Sequence, residues 1–194
     1  ASTTDNDLCP GQSTNLSSTA SSIEHDSLFT TLAGGNGSQG NVFDIHAYKT
    51  ITITDFKMAM LGTSADSAEV WYNPGGYGNA NVTSTSGWFK LGSTVAINNL
   101  GTGNLTLIPT TSNLTISAGS TYGILIVVNG ANSYTNGSAV GAIYKSNPDL
   151  YITEGHGGSG FGGSFSMLNS PRVFNGEVIY NINNGITSYA WTPS

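Results

Sequence analysis

Tyr122-Gly-Ile-Leu-Ile-Val-Val-Asn129 contains the longest apolar run of the chain, Ile124 to Val128. The run is rich in β-branched residues, and it is far too short to cross a bilayer. It reads as a strand that is apolar on both faces and therefore covered on both. Alternation puts Tyr122, Ile124, Ile126 and Val128 on one face and Leu125 and Val127 on the other. A strand of this kind needs packed layers above and below it.

The neighbouring stretches agree. Ile51 to Met60 alternates, with Ile51, Ile53, Asp55, Lys57 and Ala59 on one side and Thr52, Thr54, Phe56, Met58 and Met60 on the other. The first set mixes apolar and charged residues, so a bulge or a twist is expected near Asp55. Further strands are expected at Val42–Tyr48, Ala68–Tyr72, Trp88–Leu91, Leu105–Ile108, Leu114–Ile116, Ala139–Tyr144, Leu150–Thr153, Arg172–Ile182 and Tyr189–Trp191. The glycine-rich stretches Ala33–Asn41 and Gly155–Gly163 read as loops. Many short strands separated by turn signals imply an all-β, jelly-roll-like sandwich.

The composition narrows the functions. The chain has 194 residues, enough for one sizeable core or a core with a small satellite. It carries five Lys+Arg against eleven Asp+Glu, with a net charge of -6. So few cations cannot neutralise a row of phosphates, which excludes nucleic acid, and they give no hold on an anionic membrane. A hydrophobic content of 38% separates the chain from disordered tracts. The chain starts at Ala1 without Met, and it is expected to be a piece of a longer extracellular protein.

Chemistry-bearing patterns are few. Gly35/Gly37/Gly40 and Gly155/Gly157/Gly160 match G-x-G-x-x-G, but no helical pattern follows either, so no amides are aimed at a pyrophosphate. His25, His46 and His156 lie far apart, without zinc-ligand spacing. Asp44, Asp55, Asp149 and Glu154 are oxygen donors, and Asp44 and Glu154 are the candidates for a structural calcium. No cofactor is otherwise expected. No G-x-S-x-G elbow is present, and nothing selects one pair of carboxylates as acid and base, so the chain is read as no enzyme. Trp71, Tyr77 and Trp88 cluster in sequence around the loop Asn73–Gly87 and are candidates for stacking on sugar rings. The alternative puts Trp71 and Trp88 in the core and makes Tyr77 a loop anchor.

The ends of the chain carry a resemblance. Leu8-Cys9-Pro10-Gly11-Gln12-Ser13-Thr14-Asn15-Leu16 resembles the start of an immunoglobulin-like repeat of secreted Bacteroidota proteins. Ile186-Thr-Ser-Tyr-Ala-Trp-Thr-Pro-Ser194 is similar to the next strand of that module. The segment between them resembles an inserted module of the same proteins, on Leu32–Asp44, Glu69-Val-Trp-Tyr72, Ser117–Gly123, Tyr134-Thr-Asn-Gly137 and Pro171–Val178. These are giant cell-surface repeat proteins exported by the type IX system, SprB-type gliding-motility adhesins among them. The resemblance implies a sandwich over residues 25–182, inserted into a split immunoglobulin-like domain of residues 1–24 and 183–194. It implies cell adhesion without catalysis, a location at the bacterial cell surface, and neighbouring repeats and extracellular surfaces or polysaccharide as partners. A carbohydrate-binding module of a secreted protein is the alternative. Cys9 would pair beyond Ser194, or stand as a buried thiol. Asp26-Ser27-Leu28 and Asp66-Ser67-Ala68 fit the family's glycan-attachment pattern, which makes Ser27 and Ser67 candidates.

Overall fold

In the computed structural model, residues 16–20, 23–79, 82–183 and 187–191 are described. Strands β1 (Leu16–Ala20), β2 (Ile23–Phe29), β3 (Asn36–Ala47), β4 (Ile51–Ala59) and β5 (Ser67–Pro74) are followed by short β6 (Phe89–Lys90) and β7 (Val95–Ala96). Then come β8 (Leu105–Ile116), β9 (Thr121–Asn136), β10 (Ile143–Ser146) and β11 (Leu150–Thr153). The series closes with β12 (Gly155–Ser159), β13 (Ser166–Phe174), β14 (Gly176–Asn183) and β15 (Thr187–Trp191). The only helical pieces among the described residues are 3-10 turns at Tyr77–Asn79 and Phe161–Gly163.

Two antiparallel sheets make an all-β sandwich. The small sheet runs β2-β14-β4-β8. The large sheet runs β10-β11-β3-β12-β13-β9-β5-β6, with β7 on β5 and a further pairing of β3 with β9. Between the sheets lies the main core, with Phe43, Ile45, Ile53, Phe56, Met58, Ile108, Ile116 and Tyr180 all fully buried. The opening expectation for β9 holds: Ile124, Ile126 and Val128 enter this core, with Tyr122 partly buried against it. Leu125 and Val127 enter a second apolar cluster on the other side of the large sheet.

The expected bulge is present. On β4 the register slips between Ile53 and Asp55, with Ile53 opposite Leu114 and Asp55 opposite Pro109. The slip changes the parity, so Ile51 and Ile53 before it and Phe56 and Met58 after it all point inward. The facing residues 110–113 bulge out of β8, and the two short strands expected there form one interrupted strand. Pro109 sits where the ladder is already broken.

Three expectations change. Ala33–Asn41 is not a loop throughout, because β3 starts at Asn36. Gly155–Gly163 is not a loop either, because its first half is β12, between β3 and β13. These glycines serve close packing. An added Cβ would stand 2.2 Å from the Ile126 carbonyl oxygen at Gly40, 2.0 Å from that of Val42 at Gly155 and 2.1 Å from that of Ser166 at Gly158. Arg172–Ile182 is two strands, because the chain passes from the large sheet to the small one at buried Asn175.

Separately, β1 and β15 pair with Leu16 opposite Trp191 and Ala20 opposite Thr187. This is the contact expected between the two flanking segments. Leu8–Asn15, with Cys9, and Thr192–Ser194 lie outside the described residues.

Candidate functional site on the outer face of the large sheet

Odd-numbered residues of β5 face away from the main core. Glu69, Trp71 and Asn73 therefore meet the two segments that cover this face, residues 75–88 and 160–165. Phe165 is the shared wedge: its ring lies edge-on to Trp71 at 5.2 Å and to Trp88 at 6.2 Å. Glu69 is buried, and its carboxylate accepts hydrogen bonds from Lys90 Nζ (2.9 Å), Thr94 Oγ1 (2.9 Å), Trp71 Nε1 (3.3 Å) and the Gly162 N–H (3.2 Å). Asn73 Nδ2 donates to the Gly87 carbonyl, and the Met167 N–H donates to that of Val82 (3.0 Å).

This arrangement corrects the stacking expectation. Tyr77 and Trp88 are each only 6% exposed, and both belong to the second cluster with Leu125, Val127, Phe165 and Met167. Trp71 packs against the same cluster, with Lys90 Nζ 5.6 Å from its ring centroid. Tyr77 and Trp88, covered in this way, offer no open face to a sugar, while Trp71 is half-buried. The core reading, which the sequence left open, is the one the packing follows.

Tyr77 is the clasp of the first covering segment. Its N–H donates to Asp44 Oδ1 at 2.7 Å, its hydroxyl donates to the Glu154 carbonyl at 3.3 Å, and its ring stands edge-on to His156. Gly123 lies beneath it, where a Cβ would be 2.4 Å from the Tyr77 nitrogen. Burial raises the Asp44 pKa, partly offset by the Tyr77 N–H, and it lowers that of His156. Burial, with Asp44 second, pushes the Tyr77 hydroxyl up to about 12.

Asp44 and Glu154 thus meet the same tyrosine, but not as a shared ligand set. The Glu154 carboxylate accepts from the Ser138 N–H, the Ser138 hydroxyl (3.0 Å) and the Ala139 N–H (2.8 Å), pinning that turn. Among the described residues no three His, Cys, Asp or Glu are grouped to hold an ion. Asp149 instead pairs with Lys49 at 2.6 Å and accepts from the Tyr180 hydroxyl at 3.0 Å. Ser27 and Ser67 lie in strands, half-buried; their hydroxyls donate to Glu177 Oε1 (2.7 Å) and Asp66 Oδ1 (2.8 Å).

Further along the same face three rings come together, of which the sequence reading named only His46, and that as an isolated histidine. His46 on β3 is opposite Tyr151 on β11 and Thr121 on β9. The His46 and Tyr151 rings stack at 4.9 Å with 22° between their planes. Tyr48, just past the end of β3, is 5.6 Å from each and turned by 74° and 56°. Tyr48 as a whole is 49% exposed. His46 Nδ1 is 2.8 Å from Thr121 Oγ1. The spacing His46-x-Tyr48 was visible as a same-face pair, whereas Tyr151 arrives through a pairing across more than a hundred residues.

On the small sheet, a groove of about 410 Å³ is lined by Ile97, Leu100, Leu105, Leu107, Pro109 and Lys57.

No family model matches the chain, and no curated protein matches it. Among solved structures, it is similar to the clostridial cysteine protease Cwp84 after propeptide cleavage, at 16% identity and a TM-score of 0.43. That match covers 82% of this chain and 40% of the protease chain. It is also similar to the infectious bursal disease virus Gx strain structure, at 14% identity and a TM-score of 0.23, over 98% of this chain and 47% of that one. The VP2 subviral particle of that virus gives 15% identity and 0.22, over 98% and 44%. The chain therefore spans less than half the length of each of these.

Proposed function

We propose that the chain is a non-catalytic, extracellular module of a large bacterial cell-surface adhesin, a spacer that also presents a binding surface. The observation that carries this reading is the way the chain enters and leaves the sandwich. Ile23 on β2 is opposite Asn183 on β14, and the flanking Leu16–Ala20 and Thr187–Trp191 continue side by side as β1 and β15. A sandwich with adjacent entry and exit can replace a surface loop of another domain at little cost in chain entropy. The split repeat read from residues 1–24 and 183–194 asks for this arrangement. Neighbouring repeats of the same protein and polysaccharide at extracellular surfaces are its partners on this reading.

The test has two arms. Microspheres coated with the purified chain are expected to hold on polysaccharide-coated glass under flow. The soluble chain is expected to release no product from glycan, peptide and ester substrates. Beads that wash off like albumin-coated ones would overturn the adhesive role. Turnover that disappears on replacing a single Asp or Glu would overturn the non-catalytic one.

A further inference from the structure

We infer that the corner formed by Tyr48, His46 and Tyr151 binds a sugar residue of a neutral polysaccharide. The inference rests on the reading of the chain as an adhesive module, and it supplies that module's ligand class and site.

The corner is built before any ligand arrives. Alternation along β3 brings His46 to the outer face, and the β11 register brings Tyr151 beside it. Tyr48 is fixed by its backbone, because its N–H donates to the Asp149 carbonyl at 2.7 Å. The preceding Ala47 N–H donates to the Ser120 carbonyl at 3.0 Å. A ring held in this way loses little freedom on binding.

The geometry is two-sided. His46 and Tyr151 share one pair of faces, so together they act as a wall. Tyr48, turned steeply to both, acts as a platform. The apolar C–H face of a pyranose fits against the platform, with its edge along the wall. Hydroxyl partners stand beside the rings: the phenols of Tyr48 and Tyr151, Thr121, and exposed Ser146 opposite Tyr151.

Charge selects the class of sugar. Lys49, next to Tyr48 in the chain, pairs with Asp149 at 2.6 Å, so the two charges balance each other. The chain as a whole is at -6, which repels acidic polysaccharides. Tyr77 and Trp88 cannot compete for the role, because the second core covers them, and half-buried Trp71 has Phe165 edge-on to its ring.

The experiment is native affinity electrophoresis of the whole chain in gels holding laminarin, dextran, soluble starch or galactomannan, with alginate as the acidic control. Retardation is expected in at least one neutral gel and not in alginate. Tyr48→Ala and Tyr151→Ala should each weaken it roughly tenfold. Phe89→Ala, which removes an exposed ring elsewhere, should not. Melting curves show whether each variant folds. If one does not, ring-proton shifts of the wild-type chain on adding oligosaccharides of the retarding polymer decide, and they should centre on His46, Tyr48 and Tyr151. Retardation that survives both alanine variants, or shifts elsewhere, would place the sugar at another site and leave the adhesive reading standing. No retardation in any neutral gel, or stronger retardation in alginate, overturns the inference, and the flow assay then judges the adhesive reading separately.

Discussion

Gly158 owes its identity to space rather than to torsion. Its φ is not in the left-handed region, and what forbids a side chain is the backbone of Ser166 and Met167 on β13. A glycine that allows two strands to approach looks, in sequence, like one that allows a loop to bend. That is why β12 was not legible, while the turn at Gly75–Gly76, with φ values of 92° and 96°, was. Glu69 is the polar counterpart, a single carboxylate that ties β5 to Lys90 on β6, to Thr94 and to the covering segment at Gly162. Burial alone would raise its pKa, but the hydrogen bonds and charge of Lys90 and the hydroxyl of Thr94 outweigh it and hold it below the ordinary value. A depressed carboxylate contributes stability that is present above its unfolded pKa, about 4.3, and lost as pH falls through the folded pKa. Glu177 and Asp149 are lowered too and share in that loss. Glu69→Gln should therefore lower stability near neutral pH by about 1–3 kcal/mol. It should also narrow, without abolishing, the fall in melting temperature between about pH 6 and pH 3. Melting curves of both proteins across that range check this.

Among the elements, β4 shows how far periodicity reaches. One mixed face gave away the bulge, because no straight strand could bury Ile51 and Ile53 together with Phe56 and Met58. What periodicity could not show was the partner: the disruption in β8 occupies residues 110–113, whose polar run reads as an ordinary loop. The candidate site has the same character. His46 and Tyr48 are two residues apart and could be read as one face, but the register that sets Tyr151 beside them is non-local. Trp71 and Trp88 drew notice by being close in sequence, and their covering ring, Phe165, comes from far away. The bulge makes a sharp prediction. Deleting Thr54 removes the residue bulged between Ile53 and Asp55 and restores strict alternation with Ile51, Ile53, Phe56 and Met58 all on one face, whereas deleting Lys57 sets Phe56 and Met58 on opposite faces. The chain lacking Lys57 should lose cooperative unfolding, whereas the chain lacking Thr54 should keep it; thermal circular dichroism separates them.

At the scale of the whole molecule, two apolar clusters back to back on one sheet hold the fold. Ile126 is fully buried in the larger one, and Ile126→Ala should cost about 2–5 kcal/mol. That is a large part of a typical net stability of about 5–15 kcal/mol. The ion pairs Lys49–Asp149 and Lys57–Glu177 leave the lysine exposed and Lys90–Glu69 leaves it half-buried, so salt near ~1 M should move the melting temperature little. With one Cys in the chain, no internal disulfide exists for a reductant to break. Melting curves with and without salt and reductant check both, and a large loss on either addition would mean the core has been misjudged. The paired entry and exit have a mechanical meaning as well. Leu16 and Trp191 are directly opposite, so tension drawn through the two flanks acts on one end of a ladder and loads its bonds in turn rather than all at once. The five-residue pair of β1 and β15 opens first, and the pull then passes to Ile23 and Asn183, again opposite each other. Pulled in this way, the chain would lengthen in small steps, the flanks yielding like a zip fastener before the load reaches the sandwich.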